Sequence, residues 1–227
     1  MEAAFFFDFD GVIADSEPLH FRAFAEVLGP LGMSVSWEEY VRDLIGFDDR
    51  DVIRKVHERA GRAADAAEVK RLMTLKAERL AWLAEQEPPP LYPGVPELLD
   101  GLRRIGGVGL CTGAVRSDIE VILRGTGLES KFDVIVTADD VPTGKPDPAG
   151  YRLAKTRLAA RRGDEPGDLA GVAVEDTPAG INAARLASLR VLAVATTHSK
   201  ADLAGADRVV SRLTEVRPVE LRELALS

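Results

Sequence analysis

Two carboxylates one residue apart, Asp8 and Asp10, follow the wholly apolar run Phe5-Phe6-Phe7 near the N-terminus. So short an apolar run predicts a strand buried on both faces, as in a parallel sheet covered by helices. Residues two apart in an extended chain project to the same side, so both carboxylates can converge on one point. Gly11 then permits a sharp exit. Paired carboxylates at the end of a buried strand repel each other and are costly to desolvate, so stability does not ask for them. A hard cation such as Mg²⁺ would offset that cost. On this stretch alone an acidic loop after a strand is the alternative, because Asp-x-Asp by itself is common.

Three later stretches carry similar chemistry. They are Cys111-Thr112-Gly113-Ala114, Gly144-Lys145-Pro146-Asp147-Pro148 and Val174-Glu175-Asp176-Thr177-Pro178-Ala179-Gly180. A lone threonine or lysine is more often structural or surface, and an acidic pair before a helix can merely favour its dipole. Taken together and in order with Asp8-Phe9-Asp10-Gly11-Val12, the set resembles the four motifs of the haloacid dehalogenase-like (HAD) phosphatase superfamily. The resemblance covers nearly the whole chain. The stretch from Asp8 to His20 looks most like the β-phosphoglucomutase and phosphoglycolate phosphatase branch.

The resemblance implies a role for each matched residue. Asp8 would be the nucleophile, forming an aspartyl-phosphate that splits the displacement into two easier steps. Asp10 would protonate the leaving oxygen and then deprotonate the incoming water. Branches that cleave carbon–halogen bonds lack this second aspartate, so Asp10 favours phosphoryl chemistry. The metal set would be Asp8, Asp10 (through its carbonyl), Glu175 and Asp176, around Mg²⁺ with several retained waters. Thr112 and Lys145, with the amides of Gly113 and Ala114, would hold the transferring phosphoryl group as its charge spreads in the transition state. Cys111 reads as a buried core residue.

Three further residues are candidates for substrate contact. Lys76 shares a helical stripe with Val69, Met73, Leu80 and Leu83. Either it snorkels, with its ammonium in water, or it points at a phosphorylated substrate. His20 matches a hinge histidine of the branch and, with Ser16, would hold Asp10 in its open and closed positions; an ordinary core or surface histidine is the alternative. Arg50 lies in Gly46-Phe47-Asp48-Asp49-Arg50, where a specificity loop is expected. β-Phosphoglucomutase-like chains have arginine three residues after the glycine to grip a second phosphate. This chain has Asp49 there, which weakens a mutase reading.

These residues need elements to position them. After Ser16 the pattern is helical: Phe21 to Leu28, Ser36 to Leu44 behind a capping box, Asp48 to Ala60 and Asp65 to Glu85. Pro88-Pro89-Pro90 stops helix formation. Residues 17–88 therefore read as a helical cap inserted into a core made of 1–16 and 89–227. From Pro93 helices alternate with strands at Gly107–Cys111, Phe132–Thr137, Gly171–Val174, Val191–Val194 and Arg208–Val210. That alternation predicts an α/β fold, a Rossmann-like parallel sheet with its ligand site beyond the carboxyl ends of the strands.

The whole chain sets bounds on function. With 227 residues and a net charge of −8, it can bury a sizeable core and offers no general nucleic-acid surface. One cysteine excludes an internal disulfide framework. The Ala3–Phe7 run is too short for a signal peptide, and no run is long enough to span a bilayer. The expectation is a cytoplasmic Mg²⁺-dependent phosphatase of a small phosphorylated metabolite such as a sugar phosphate, acting as a monomer or weak dimer. A β-phosphoglucomutase-like mutase and a catalytically idle binding protein on the same fold are the rivals.

Overall fold

The computed structural model describes residues 3–227. Met1 and Glu2 of the expected core lie outside the described residues. Six strands form one parallel sheet: β1 (Ala3–Phe7), β2 (Gly106–Cys111), β3 (Val134–Val136), β4 (Gly171–Glu175), β5 (Arg190–Val194) and β6 (Arg208–Val210), in the order β3-β2-β1-β4-β5-β6. β1 is central, with Phe7 opposite Leu110 on one side and Val174 on the other.

The apolar run of β1 serves both faces of the sheet. Ala3, Phe5 and Phe7 join one buried cluster with α5 (Val95–Leu102), α6 (Arg116–Leu123) and α9 (Pro218–Leu226). Ala4 and Phe6 point the other way, into a cluster with α7 (Ala149–Arg162) and α8 (Pro178–Leu186). Period-two alternation thus divides five apolar residues between two helical layers. All five are fully buried.

Between β1 and α5 the chain builds α1 (Glu17–Leu28), α2 (Trp37–Asp43), α3 (Asp49–Arg59) and α4 (Ala66–Gln86). These helices gather an apolar cluster of their own around Phe24, Tyr40, Leu44, Ile53 and Leu72. The capping box predicted at Ser36 is present, with the Glu39 amide donating to Ser36 Oγ and the Ser36 amide to Glu39. α4 also lays Leu80, Leu83 and Ala84 on the core cluster, joining the two layers.

The elements differ from the sequence pattern in places: β3 spans Val134–Val136 where a strand over Phe132–Thr137 was expected. α1 starts at Glu17, four residues before Phe21, because Pro18 sits at a first-turn position where its missing N–H costs nothing. α9 lies beyond the last element the pattern predicts. Its start was marked by Pro218 and by Glu220, whose carboxylate accepts from the Arg217 amide at 2.8 Å.

Candidate active site

The carboxyl ends of β1, β2 and β4 meet at the point where the chain crosses from one side of the sheet to the other, the position at which open α/β sheets bind ligands. Asp8 follows β1, Thr112 follows β2, and Glu175 ends β4 with Asp176 next. Lys145 comes from the loop before α7 and completes the group. Its ammonium lies 2.9 Å from Asp8 Oδ1 and 2.6 Å from Glu175 Oε1. Tyr151 on α7 also donates to Glu175 Oε1. All five residues with a titratable side chain here, Asp8, Lys145, Tyr151, Glu175 and Asp176, are buried.

Three carboxylates around one lysine leave a surplus of negative charge. One oxygen from each of Asp8, Glu175 and Asp176 lies within 4.8 Å of the others. Glu175 Oε2 and Asp176 Oδ1 are buried without a hydrogen-bond partner among the described residues. Burial pushes the Asp8 carboxyl up to about 8; Lys145 opposes this, while Glu175 and Asp10 reinforce it. Asp176 is raised well above the carboxylate range, by burial first and then by Asp8 and Glu175. Orphaned hard oxygen donors beside mutually repelling carboxylates fit Mg²⁺, which would take up both the lone pairs and the charge.

Gly11 lets this cluster close. It adopts φ +75°, and a Cβ there would stand 2.0 Å from Asp176 Oδ2, so a side chain is excluded by both conformation and contact. Thr197 donates to that same Asp176 oxygen, and Thr196 donates to the Gly11 carbonyl at 2.6 Å. Thr112 Oγ1 accepts from the Ala114 amide at 3.0 Å, which orders the turn leading to α6.

Asp10 has a different neighbourhood from Asp8. Ser16 donates to its carboxylate, and His20 Nε2 lies 3.2 Å from Oδ1. Burial alone would raise Asp10, but His20, Ser16 and Lys76 outweigh it and hold the carboxyl down at about 2. His20 in turn is raised by Asp10, against burial and Lys76.

Comparison with known proteins agrees with this geometry. Residues 5–194 match the family model described as haloacid dehalogenase-like hydrolase. The chain belongs to that family. It is 33% identical to validoxylamine A 7'-phosphate phosphatase of Streptomyces hygroscopicus subsp. limoneus, over 93% of this chain and 94% of that one. Hexitol phosphatase B of Escherichia coli K12 is 31% identical, over 95% and 94% respectively. The crystal structure of CbbY from Rhodobacter sphaeroides in complex with phosphate superposes with a TM-score of 0.79 at 30% identity, covering 95% of this chain and 96% of that one.

In this haloacid dehalogenase-like chain the helices between β1 and α5 roof the strand ends. The cleft between them is lined by residues of both layers, among them Asp8, Asp10, Lys145, Gly113 and Ala114 below and Glu17, His20, Tyr40, Phe47 and Asp49 above. Its free volume is about 30 Å³, room for about two water molecules. Gly46 (φ +87°) brings the roof down, since a Cβ there would stand 3.0 Å from Thr177 Oγ1.

Two expected substrate contacts take other partners. Lys76 neither snorkels nor lines the cleft: it is completely buried, bonded to Asp49 at 3.0 Å, Asp118 at 2.9 Å and His20 Nδ1 at 2.7 Å. Its stripe on α4 faces the seam between the helical layer and α6, which keeps the ammonium off the surface. Arg50 also stands outside the cleft lining. It pairs with Asp48 Oδ2 at 2.6 Å and donates to the Val141 carbonyl at 3.2 Å. One residue along a helix is a rotation of about 100°, so the offset from position 49 to 50 turns the arginine to another face.

Sequence spacing gave no hint of Asp118, Tyr151 or Thr197, whose contacts are made across long separations. Glu17 could have been noticed: it opens α1 directly after Ser16, and its carboxylate accepts from Tyr40 at 2.8 Å. Burial and Asp10 push Glu17 up to about 7.

Proposed function

We propose that this chain is a Mg²⁺-dependent phosphomonoesterase acting on a small phosphorylated metabolite, with Asp8 as the nucleophile. The observation that carries the reading is Asp8 itself. It is a buried carboxylate at the end of the central strand, facing one lysine and two further carboxylates with orphaned oxygens. A structural role would leave that charge unbalanced.

In the proposed first step an Asp8 oxygen attacks phosphorus, the ester P–O bond breaks, and a proton shared between His20 and Asp10 passes through Asp10 to the departing alcohol. In the second, Asp10 takes a proton from water as the water oxygen attacks the same phosphorus. The P–O bond to Asp8 then breaks, releasing phosphate and the free carboxylate. Ser16 and His20, which bond Asp10, would orient it and share its proton. Lys145, the Thr112 hydroxyl and the Gly113 and Ala114 amides would hold the phosphoryl oxygens. Asp8, Asp176 and Glu175 would hold the metal, with the Asp10 carbonyl. Bound there, Mg²⁺ would supply the positive charge that lets an anionic nucleophile meet an anionic phosphate.

Residues 17–88 would act as the cap, opening to admit substrate and closing to exclude water. The phosphatase activities named for two relatives support hydrolysis over transfer back to a sugar. So does Asp49 in the place where a mutase-like chain would carry arginine.

The test is release of inorganic phosphate from an aryl phosphate and from a panel of sugar phosphates, with and without Mg²⁺, beside a mutase assay. Phosphate release that disappears in chelator and returns with Mg²⁺ is expected. Sugar phosphate isomerisation without phosphate release would favour the mutase, and no reaction on any ester would favour the idle binding protein.

A further inference from the structure

A second cavity lies beside the linkers that join the helical layer to the core, and it shares no lining residue with the cleft. The linkers, residues 12–16 and 88–93, run side by side as a short antiparallel ribbon. The Asp15 amide donates to the Pro90 carbonyl and the Tyr92 amide to the Ile13 carbonyl, both at 2.9 Å. Where this ribbon meets the carboxyl ends of β5 and β6, about 400 Å³ is free, within the span of small-molecule sites, about 300–1,000 Å³. Val12 from the first linker, Tyr92 and Pro93 from the second, and Val194 and Leu213 from the core supply its apolar walls. Val12, Val194 and Leu213 are buried.

The polar groups gather on one wall. Ser211, Arg212 and Thr214 all come from the segment after β6. Among the described residues the Arg212 guanidinium has neither an ion pair nor a hydrogen bond, and the Ser211 and Thr214 hydroxyls have no partner either. In a chain of net charge −8 acids are plentiful, yet none lines this cavity. Asp15, on the first linker, accepts from the Tyr92 phenol instead. A solvated surface arginine would account for the free guanidinium alone. It would not account for two idle hydroxyls beside it and an apolar hollow behind them.

We propose that this cavity is a second ligand site, for a small carboxylate with an aromatic or branched aliphatic body. The carboxylate would take the planar fork of Arg212, with the two hydroxyls as further donors. The body would displace water from Val12, Tyr92, Val194 and Leu213. Inorganic phosphate is the poorer fit, since it would leave those walls uncovered. A ligand here touches both linkers and the core at once. It therefore favours the arrangement in which all three stand as they do here, and so braces the hinge. Thr196 extends the contact inward: it lines the cavity and donates to the Gly11 carbonyl, beside Asp176. Nothing in this site depends on the chemistry at Asp8.

Amide NMR on the isotope-labelled full chain, titrated with 3-phenylpropionate, tests this. The neutral 3-phenylpropionamide and inorganic phosphate are the comparison probes. The amides of Val12, Tyr92, Thr196, Arg212 and Thr214 should shift together with 3-phenylpropionate, with a Kd on the order of 1 mM. The neutral amide should bind at least about tenfold more weakly, and phosphate should leave this group of amides unmoved. Arg212→Gln, at an exposed and unpaired position, should bring the carboxylate down to the level of the neutral amide. Ser211→Phe fills the cavity and should abolish both. At saturation, hydrogen exchange at the Asp15 and Tyr92 amides of the ribbon should slow by at least about threefold. Shifts that are absent, or confined to the surroundings of Asp8 and Lys145, overturn the site. Equal affinity in Arg212→Gln, or phosphate moving the same amides as strongly, overturns the carboxylate as its ligand. Binding with unchanged exchange in the ribbon overturns the bracing of the hinge.

Discussion

Two buried lysines in this molecule each sit between two carboxylates, and they do different things. Lys145 lies between Asp8 and Glu175 at the strand ends; Lys76 lies between Asp49 and Asp118 where the helical layer meets α6. Both are nearly or wholly inaccessible, and both are raised above the usual lysine range by their carboxylates against the pull of burial. Burial and perturbation therefore do not tell them apart. Charge balance does. Around Lys76 two acids face one lysine, which also donates to His20 Nδ1; Asp118 Oδ1 is left without a partner, and the group reads as a clasp between two layers. Around Lys145 a third carboxylate, Asp176, has no cation of its own, and two carboxylate oxygens are orphaned. Two carboxylates on one lysine at a junction of layers read as structural; three on one lysine at the strand ends call for a further cation.

The comparison breaks most decisively at Asp8. Asp8→Asn is nearly isosteric and cannot attack phosphorus, so turnover should fall by at least about a thousandfold while the fold survives. Removing one like charge from a repelling set should even leave the melting temperature unchanged or higher. Circular dichroism with a phosphate-release assay reads both. Retention of more than about one per cent of activity would remove Asp8 from the role of nucleophile.

The clasp should respond in the opposite sense. Lys76→Met leaves Asp49 and Asp118 buried and unpaired, and a broken buried pair costs about 3–5 kcal/mol. Denaturant unfolding should show that loss, and the triple change Lys76→Met, Asp49→Asn, Asp118→Asn should recover much of it. If Lys76→Met is as stable as the parent chain, the cluster is not a clasp.

The cation deficit at Lys145 makes a pH prediction. In the metal-free protein Asp8 is pushed up to about 8, so folded molecules hold a proton that the unfolded chain releases near pH 4. The stabilising contribution of that proton is complete below about pH 4 and is lost as pH rises toward 8. Mg²⁺ binds the deprotonated site, so the gain in melting temperature on adding it should be larger near pH 8 than near pH 6. At about a hundredfold excess over Kd the gain at the higher pH is about 2.7 kcal/mol, or roughly 5–10 °C. Asp176→Ala should flatten the response. A Mg²⁺ shift that is the same at both pH values would sink this account of the site.

Much of this was legible in the sequence because it is local or periodic. The apolar run of β1, the capping box at Ser36 and the four motif segments each depend on a few adjacent residues, and the parallel sheet gathers motif residues at the carboxyl ends of its strands. The partners that complete the site are not local. Tyr151 reaches Glu175 across 24 residues and Thr197 reaches Asp176 across 21, and neither carries a spacing signal. Lys76 was visible as an anomaly on an apolar stripe. What the stripe faced, a carboxylate on α6 and another on α3, depends on tertiary packing that no helical periodicity encodes.

Arg50 provides the smallest effect and the sharpest check on what the roof of the cleft recognises. Its guanidinium ties Asp48, the N-cap of α3, to the Val141 carbonyl in the sheet layer, and so joins the two layers without lining the cleft. Asp48 keeps its capping bond from the Asp51 amide when the arginine is removed. Arg50→Ala should therefore cost no more than about 1 kcal/mol of stability, the worth of one partly exposed pair with its hydrogen bond. Its effect on kcat/KM should stay within about fivefold and be equal for sugar phosphate and aryl phosphate, because a looser seam alters closure for both. A side chain that gripped substrate would behave otherwise: losing a charged hydrogen bond would cost about 1.5–3 kcal/mol on the sugar phosphate alone, or roughly ten- to a hundredfold. A selective loss of that size would put Arg50 back at the substrate.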